Sequence, residues 1–146
     1  MFLHGGPDHL IGNCLVLYIV GMACEHAFGA GRLIAVYLAS GLAGSLLSVA
    51  AQPGPSVGAS GAIFGVTGCV IVFFYKYQHW VRLRDKRIGF VLLLWAIYQL
   101  ASGALTPFID NFAHLGGLVG GAAVALVLRP VLLGPVPEDR SPFLRE

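Results

Sequence analysis

Five apolar runs, residues 9 to 28, 32 to 51, 59 to 75, 88 to 106 and 114 to 128, fill most of this chain and leave only short connections between them. Each approaches the length that crosses a bilayer, because a helix rises about 1.5 Å per residue and the hydrocarbon core is about 30 Å thick. Lipid offers no hydrogen-bond partners, so a chain there must satisfy its own backbone as a helix or as a closed barrel. The runs are continuous rather than alternating apolar and polar, which selects helices. The expected fold is all-α, a polytopic transmembrane helical bundle of five spans.

Composition enters where the alternative is a soluble globule. With 57% hydrophobic and 11% charged residues, the chain has too little polar surface to solvate one. A net charge of +2 provides no basic field for nucleic acid, and the expected surroundings are the lipid bilayer. Cys14, Cys24 and Cys69 are odd in number and lie in apolar stretches, so no disulfide framework is expected. Residues 1 to 8 lack the basic start and small-residue cleavage site of a signal peptide.

The basic residues give an orientation. Arg32 follows the first span, Lys76, Arg82, Arg84, Lys86 and Arg87 follow the third, and Arg129, Arg140 and Arg145 follow the fifth, so every Lys and Arg falls on one side. The positive-inside rule makes that side cytoplasmic. Residues 1 to 8, 52 to 58 and 107 to 113 then face outward, with Asp8 and Asp110 as their charges. The expectation is an integral protein of a plasma or inner membrane, with a core at residues 1 to 132 and a cytoplasmic tail at 133 to 146. An odd number of spans starting outside further implies a preceding helix that this chain lacks. Tyr75, Tyr77 and Trp80 suit an aromatic belt, and His26 and His79 an interfacial setting.

Polar residues at membrane depth are costly and become functional candidates by default: His9, Asn13, Glu25, Ser60 and His114. From Asn13 to Gly29, from Ser60 to Lys76 and from His114 to Arg129 the count is fifteen or sixteen residues, about 22 to 24 Å of helix. Three helices therefore present an amide, a hydroxyl and an imidazole at one level near the outer face. Ser60, in Gly58-Ala59-Ser60-Gly61, starts a helix, where unpaired backbone N–H groups can serve an oxyanion. Taken singly, it would equally serve as an ordinary N-cap. His114 has the basicity to accept a hydroxyl proton, though a lone histidine here would also be a plain interfacial anchor.

Gly61 and Gly65 on one helix, and Gly117 and Gly121 on the other, form small-residue faces that would let the two backbones approach. His9 and Asn13, four apart, share a helix face and could donate to an oxyanion or merely hydrogen-bond the bundle together. Glu25 would pair with a base such as Arg32 or cap backbone groups. His4, Asp8, His9, Asp110 and His114 share the outer side but lack any metal-ligand spacing, so no metal is expected.

Taken together, His4-x-x-x-x-His9-x-x-x-Asn13, Gly58-Ala59-Ser60-Gly61-Ala62-Ile63-Phe64-Gly65 and Ala113-His114-Leu115-Gly116-Gly117 resemble the rhomboid family of intramembrane serine proteases, in that family's order. The resemblance covers residues 1 to about 130 and corresponds to the family's helices two to six. It implies a Ser60/His114 dyad without an acidic third member, an oxyanion site of His9, Asn13 and the Ser60 N–H, and no cofactor. The implied reaction is hydrolysis of transmembrane segments of other proteins through an acyl-enzyme. The family's first helix and its following loop have no counterpart here, and Phe64 stands where some members have a tyrosine beside the histidine.

Two other classes compete. A non-catalytic rhomboid-like protein would bind transmembrane clients with the same bundle, but such relatives lack the serine, the histidine or both, and this chain has both. A small channel or transporter fits the composition, yet no repeated broken-helix site is present.

Overall fold

A computed structural model describes residues 2–51, 54, 56–77, 83–107 and 109–131. It contains α1 (Pro7–Phe28), α2 (Ala30–Ala51), α3 (Ser60–Lys76), α4 (Leu83–Leu105) and α5 (Asn111–Val127), with no strand among the described residues. The expected all-α bundle is what forms. His79, Trp80, Arg82 and the tail from 133 to 146 lie outside the described residues, as do the side chains of Arg84 and Lys86.

The helices divide by length. α1, α2 and the Arg87–Leu105 part of α4 are long and apolar enough to cross a membrane, whereas α3 and α5 have 17 residues each. Seventeen residues give about 25 Å of helix, short of a hydrocarbon core about 30 Å thick. Shortness is tolerable because α3 is central: it packs against all four other helices, and most of its residues are buried. Non-helical backbone at membrane depth is permitted where protein or a wet cavity surrounds it. Residues 56–59 and 109–110, the described backbone just ahead of α3 and α5, can therefore lie below the ends of the longer helices.

The bundle is apolar outside and small inside. Leu10, Ile11, Leu15, Tyr18, Ile19 and Met22 project outward from α1, while the buried residues of α2 are Val36, Ser40, Gly41, Gly44 and Ser48. Association in lipid relies on close packing rather than on hydrophobic exclusion, so small residues gather at the contacts. Ser40, Gly44 and Ser48 recur every fourth residue and place one stripe of α2 against α3 and α5.

The contact between α3 and α5 is the most intimate. A Cβ at Gly61 would lie 3.0 Å from the Ala113 carbonyl oxygen, and one at Gly65 would lie 2.9 Å from that of Gly117. On the opposing helix, a Cβ at Gly117 would overlap the Gly61 carbonyl oxygen and one at Gly121 that of Gly65. On its other side α5 presses Gly116 against α2, where a Cβ would come within 2.9 Å of the Ala43 oxygen. α5 is thus wedged between two backbones.

The termini of α1, α2, α3 and α5 sort the two ends of the bundle. At one end Lys76 donates to the Leu126 carbonyl (2.7 Å) and Arg32 to the Arg129 carbonyl (2.7 Å), so two cations satisfy the C-terminal acceptors around α5. The Val131 N–H adds a bond to the Ala27 carbonyl (2.8 Å), and Gly29, with φ of 87°, makes the tight turn from α1 into α2. Ser60 and His114 lie at the opposite end.

Candidate active site

Ser60 is the first residue of α3, and Ala59 holds the N-cap position. A serine one residue into the helix does not cap it, so the hydroxyl is free for another partner. That partner is His114, whose Nε2 lies 2.8 Å from Ser60 Oγ. Parallel α3 and α5 bring the two together because their close contact begins at Gly61 and Ala113, the immediate neighbours of Ser60 and His114.

The imidazole is held from several directions. It stacks on Phe64 with ring centroids 4.3 Å apart and planes inclined by 5°. Phe64, itself buried, leans on Trp95 of α4 at 5.5 Å. Such stacking fixes the ring plane and leaves its edge directed at Ser60. The His114 Nδ1 is buried with no hydrogen-bond partner.

His9 and Asn13 stand on α1 across from the serine loop. Gly58 has φ of 112°, and a Cβ there would come within 2.8 Å of His9 Cε1, 3.0 Å of His9 Nε2 and 3.6 Å of Asn13 Nδ2. Only glycine suits both the backbone angle and the space. Asn13 Nδ2 is buried without a partner, an uncommon state for an amide donor. His9 accepts a long hydrogen bond from the Gly5 N–H at 3.4 Å and meets His4 edge to face at 5.4 Å.

These groups border a cavity of about 1300 Å³ whose lining includes His9, Asn13, Ser60, Phe64, Trp95 and His114. The structure thus places His9, Asn13, Ser60 and His114 around one space, with Gly61, Gly65, Gly117 and Gly121 directly below it. Glu25 and Arg32 belong to the other end of the bundle. Among the described residues no three His, Cys, Asp or Glu side chains cluster as a metal site would require.

Sequence reasoning did not single out Ser48 or the role of Asp110. The Asp110 carboxylate accepts from the Ala113 N–H (2.9 Å), capping α5, and from the Ser48 hydroxyl of α2 (2.5 Å). Burial opposes its charge, but Ser48, Ala113, the Ser56 hydroxyl and the nearby His114 together hold it below the ordinary carboxylate value. An acidic residue directly before an apolar helix was a readable cap signal. Asn111, the next residue, donates to the Leu100 carbonyl of α4 at 2.9 Å.

Known proteins bear on the whole arrangement. The Rhomboid domain profile matches residues 1–131. The chain is 41% identical over 128 residues to Rhomboid protease GluP of Bacillus subtilis (strain 168), an alignment covering 86% of this chain and 25% of GluP. It is 42% identical over 130 residues to RHOMBOID-like protein 2 of Arabidopsis thaliana, covering 88% and 40%. It is 30% identical over 148 residues to Rhomboid protease AarA of Providencia stuartii, covering 86% and 53%. The chain therefore spans between about a quarter and about half of the length of these relatives. With a family profile along nearly all of its described residues and an all-helical bundle of apolar helices, this integral membrane protein belongs to the rhomboid family.

Proposed function

We propose that this chain is the core of an intramembrane serine endopeptidase that cleaves transmembrane segments of other proteins. The observation that carries the proposal is the 2.8 Å contact between Ser60 Oγ and His114 Nε2 at the edge of an open cavity. A hydroxyl within hydrogen-bond reach of an imidazole is the minimum needed for nucleophilic catalysis.

In this reading His114 Nε2 takes the Ser60 proton as Oγ attacks the scissile carbonyl carbon. The resulting oxyanion is met by the Ser60 N–H, unpaired at the start of α3, and by Asn13 Nδ2 and His9 from α1. Collapse breaks the peptide bond and leaves Ser60 acylated, with the His114 proton passing to the departing amine. A water molecule, deprotonated by His114, then attacks the acyl carbon, and the tetrahedral adduct collapses to release the acid and restore Ser60. Phe64 keeps the imidazole in plane through both halves.

The orientation proposed with it puts the cavity on the outer side and Arg32, Lys76 and Arg129 on the cytoplasmic side. Residues 1 to 132 form the catalytic core and 133 to 146 a cytoplasmic tail. The relatives named rhomboid proteases support the activity, and this chain carries both the serine and the histidine that the reading requires.

The test is labelling by a fluorophosphonate in detergent, using the protein with any natural upstream sequence. Wild type should label at Ser60, and both Ser60→Ala and His114→Ala should not. Equal labelling of wild type and Ser60→Ala would remove the protease reading.

A further inference from the structure

We infer that Asp110 is a positioning residue, clamping the first turn of the helix that carries His114 onto the end of α2. The inference rests on the protease reading above and adds a component to it. A dyad made of two groups on separate helices has no intrinsic distance, so something must set it.

Two helices meet on this one carboxylate. Oδ1 accepts from the Ala113 N–H in the first turn of α5, one residue before His114. Oδ2 accepts from Ser48, a hydroxyl that is 3% exposed in the last turn of α2 and 62 residues away in sequence. The Asp110 carbonyl in turn accepts from the His114 N–H at 3.2 Å.

The geometry distinguishes this role from a catalytic one. Asp110 makes no hydrogen bond to the imidazole, whose Nδ1 has no partner, so it cannot orient the ring as a third member of a triad would. It acts instead through backbone, fixing where α5 begins. The other groups whose charge bears on the site are His114 on α5 and His9 on α1, and neither takes part in the clamp.

Removing the clamp leaves the glycine contacts lower in α5 intact but frees its first turn. A displacement of about 1 Å at a reacting pair costs roughly 100-fold in rate. Asp110→Ala should therefore slow fluorophosphonate labelling and the kcat for a transmembrane reporter by roughly 10- to 100-fold, with KM within a few-fold. Ser48→Ala should produce a smaller loss. Because both act on one contact, the double variant should be little worse than Asp110→Ala alone. Asp110→Asn keeps an acceptor for Ala113 and a polar partner for Ser48, and should recover most of the rate.

The decisive comparison runs wild type, Ser60→Ala, Asp110→Ala, Asp110→Asn, Ser48→Ala and the double variant through labelling, reporter cleavage and a thermal melt. Full-rate labelling in Asp110→Ala, strictly independent losses in the double variant, or an Asp110→Asn as slow as Asp110→Ala would each overturn the clamp. Should Asp110→Ala melt below the assay temperature, Ser48→Ala decides alone, since it spares the cap of α5, and a normal rate there overturns the inference. Failure of the protease reading is separately visible as labelling that persists in Ser60→Ala.

Discussion

Gly117→Ala adds one methyl group at the place where α5 rests on α3. Its Cβ would lie 2.7 Å from the Gly61 carbonyl carbon and would overlap the attached oxygen. Ordinary contact for a Cβ begins at 3.4 Å, so the carbon alone is short by about 0.7 Å and the helices must part by roughly 1 Å. The obstacle is backbone, which cannot swing aside as a side chain would. Overpacking of this kind typically costs about 1–3 kcal/mol, which many folds survive. The dyad is less forgiving: a Ser60–His114 contact of 2.8 Å widened by that amount leaves hydrogen-bond range, and the rate should fall roughly 100-fold. The assay is the rate of fluorophosphonate labelling beside a thermal melt, with Gly31→Ala as control, because a Cβ there meets nothing within 4 Å. Labelling of Gly117→Ala at the wild-type rate would refute the claim that this contact sets the dyad distance.

Asn13→Ala should lower kcat roughly 10- to 1000-fold with KM within a few-fold, since an oxyanion donor acts mainly in the transition state. Its melt should barely move, because Asn13 Nδ2 has no partner to lose, and unchanged kcat in reporter cleavage would exclude the residue from the mechanism. The depressed Asp110 pKa gives a sign for acid stability: its contribution is fully present above the unfolded value near 3.8 and is lost as pH falls through the lower folded value. Wild type should thus lose more melting temperature than Asp110→Asn on going from pH 5 to pH 3, and parallel profiles would show that the carboxylate carries no net stabilising charge interaction.

What could be read in advance followed from local rules. Five apolar runs became five helices because lipid leaves the backbone no other partner, and Ser60 starts α3 because Pro and Gly precede it. Counting residues from the basic end placed Asn13, Ser60 and His114 at one level, and the structure gathers them around one cavity. The stripe of Ser40, Gly44 and Ser48 has the same four-residue spacing as the glycines of α3 and α5, so it too was legible. Ser48 shows why long-range contacts resist such reading. A serine in an apolar helix can satisfy itself on the preceding turn, as Ser45 does with the Gly41 carbonyl at 2.8 Å. Nothing local separates Ser45 from Ser48, whose partner comes from a distant connection. The helices outrun the apolar runs for a related reason: α4 begins at Leu83 and α5 at Asn111, ahead of the runs at 88 and 114, because helices continue past hydrocarbon into polar turns.

The nested glycines have a mechanical consequence. Sliding α5 along α3 by one turn, about 5.4 Å, would carry Ala113 into the seat of Gly117, or Ala125 into that of Gly121. Either way a methyl group meets a carbonyl that only a glycine can face. The pair behaves like a ratchet with a single tooth, admitting one axial setting and rejecting its neighbours. Vertical alignment of Ser60 with His114 is therefore written into the shafts of the two helices, and the clamp has only to hold the first turn of α5 at the spacing those glycines allow.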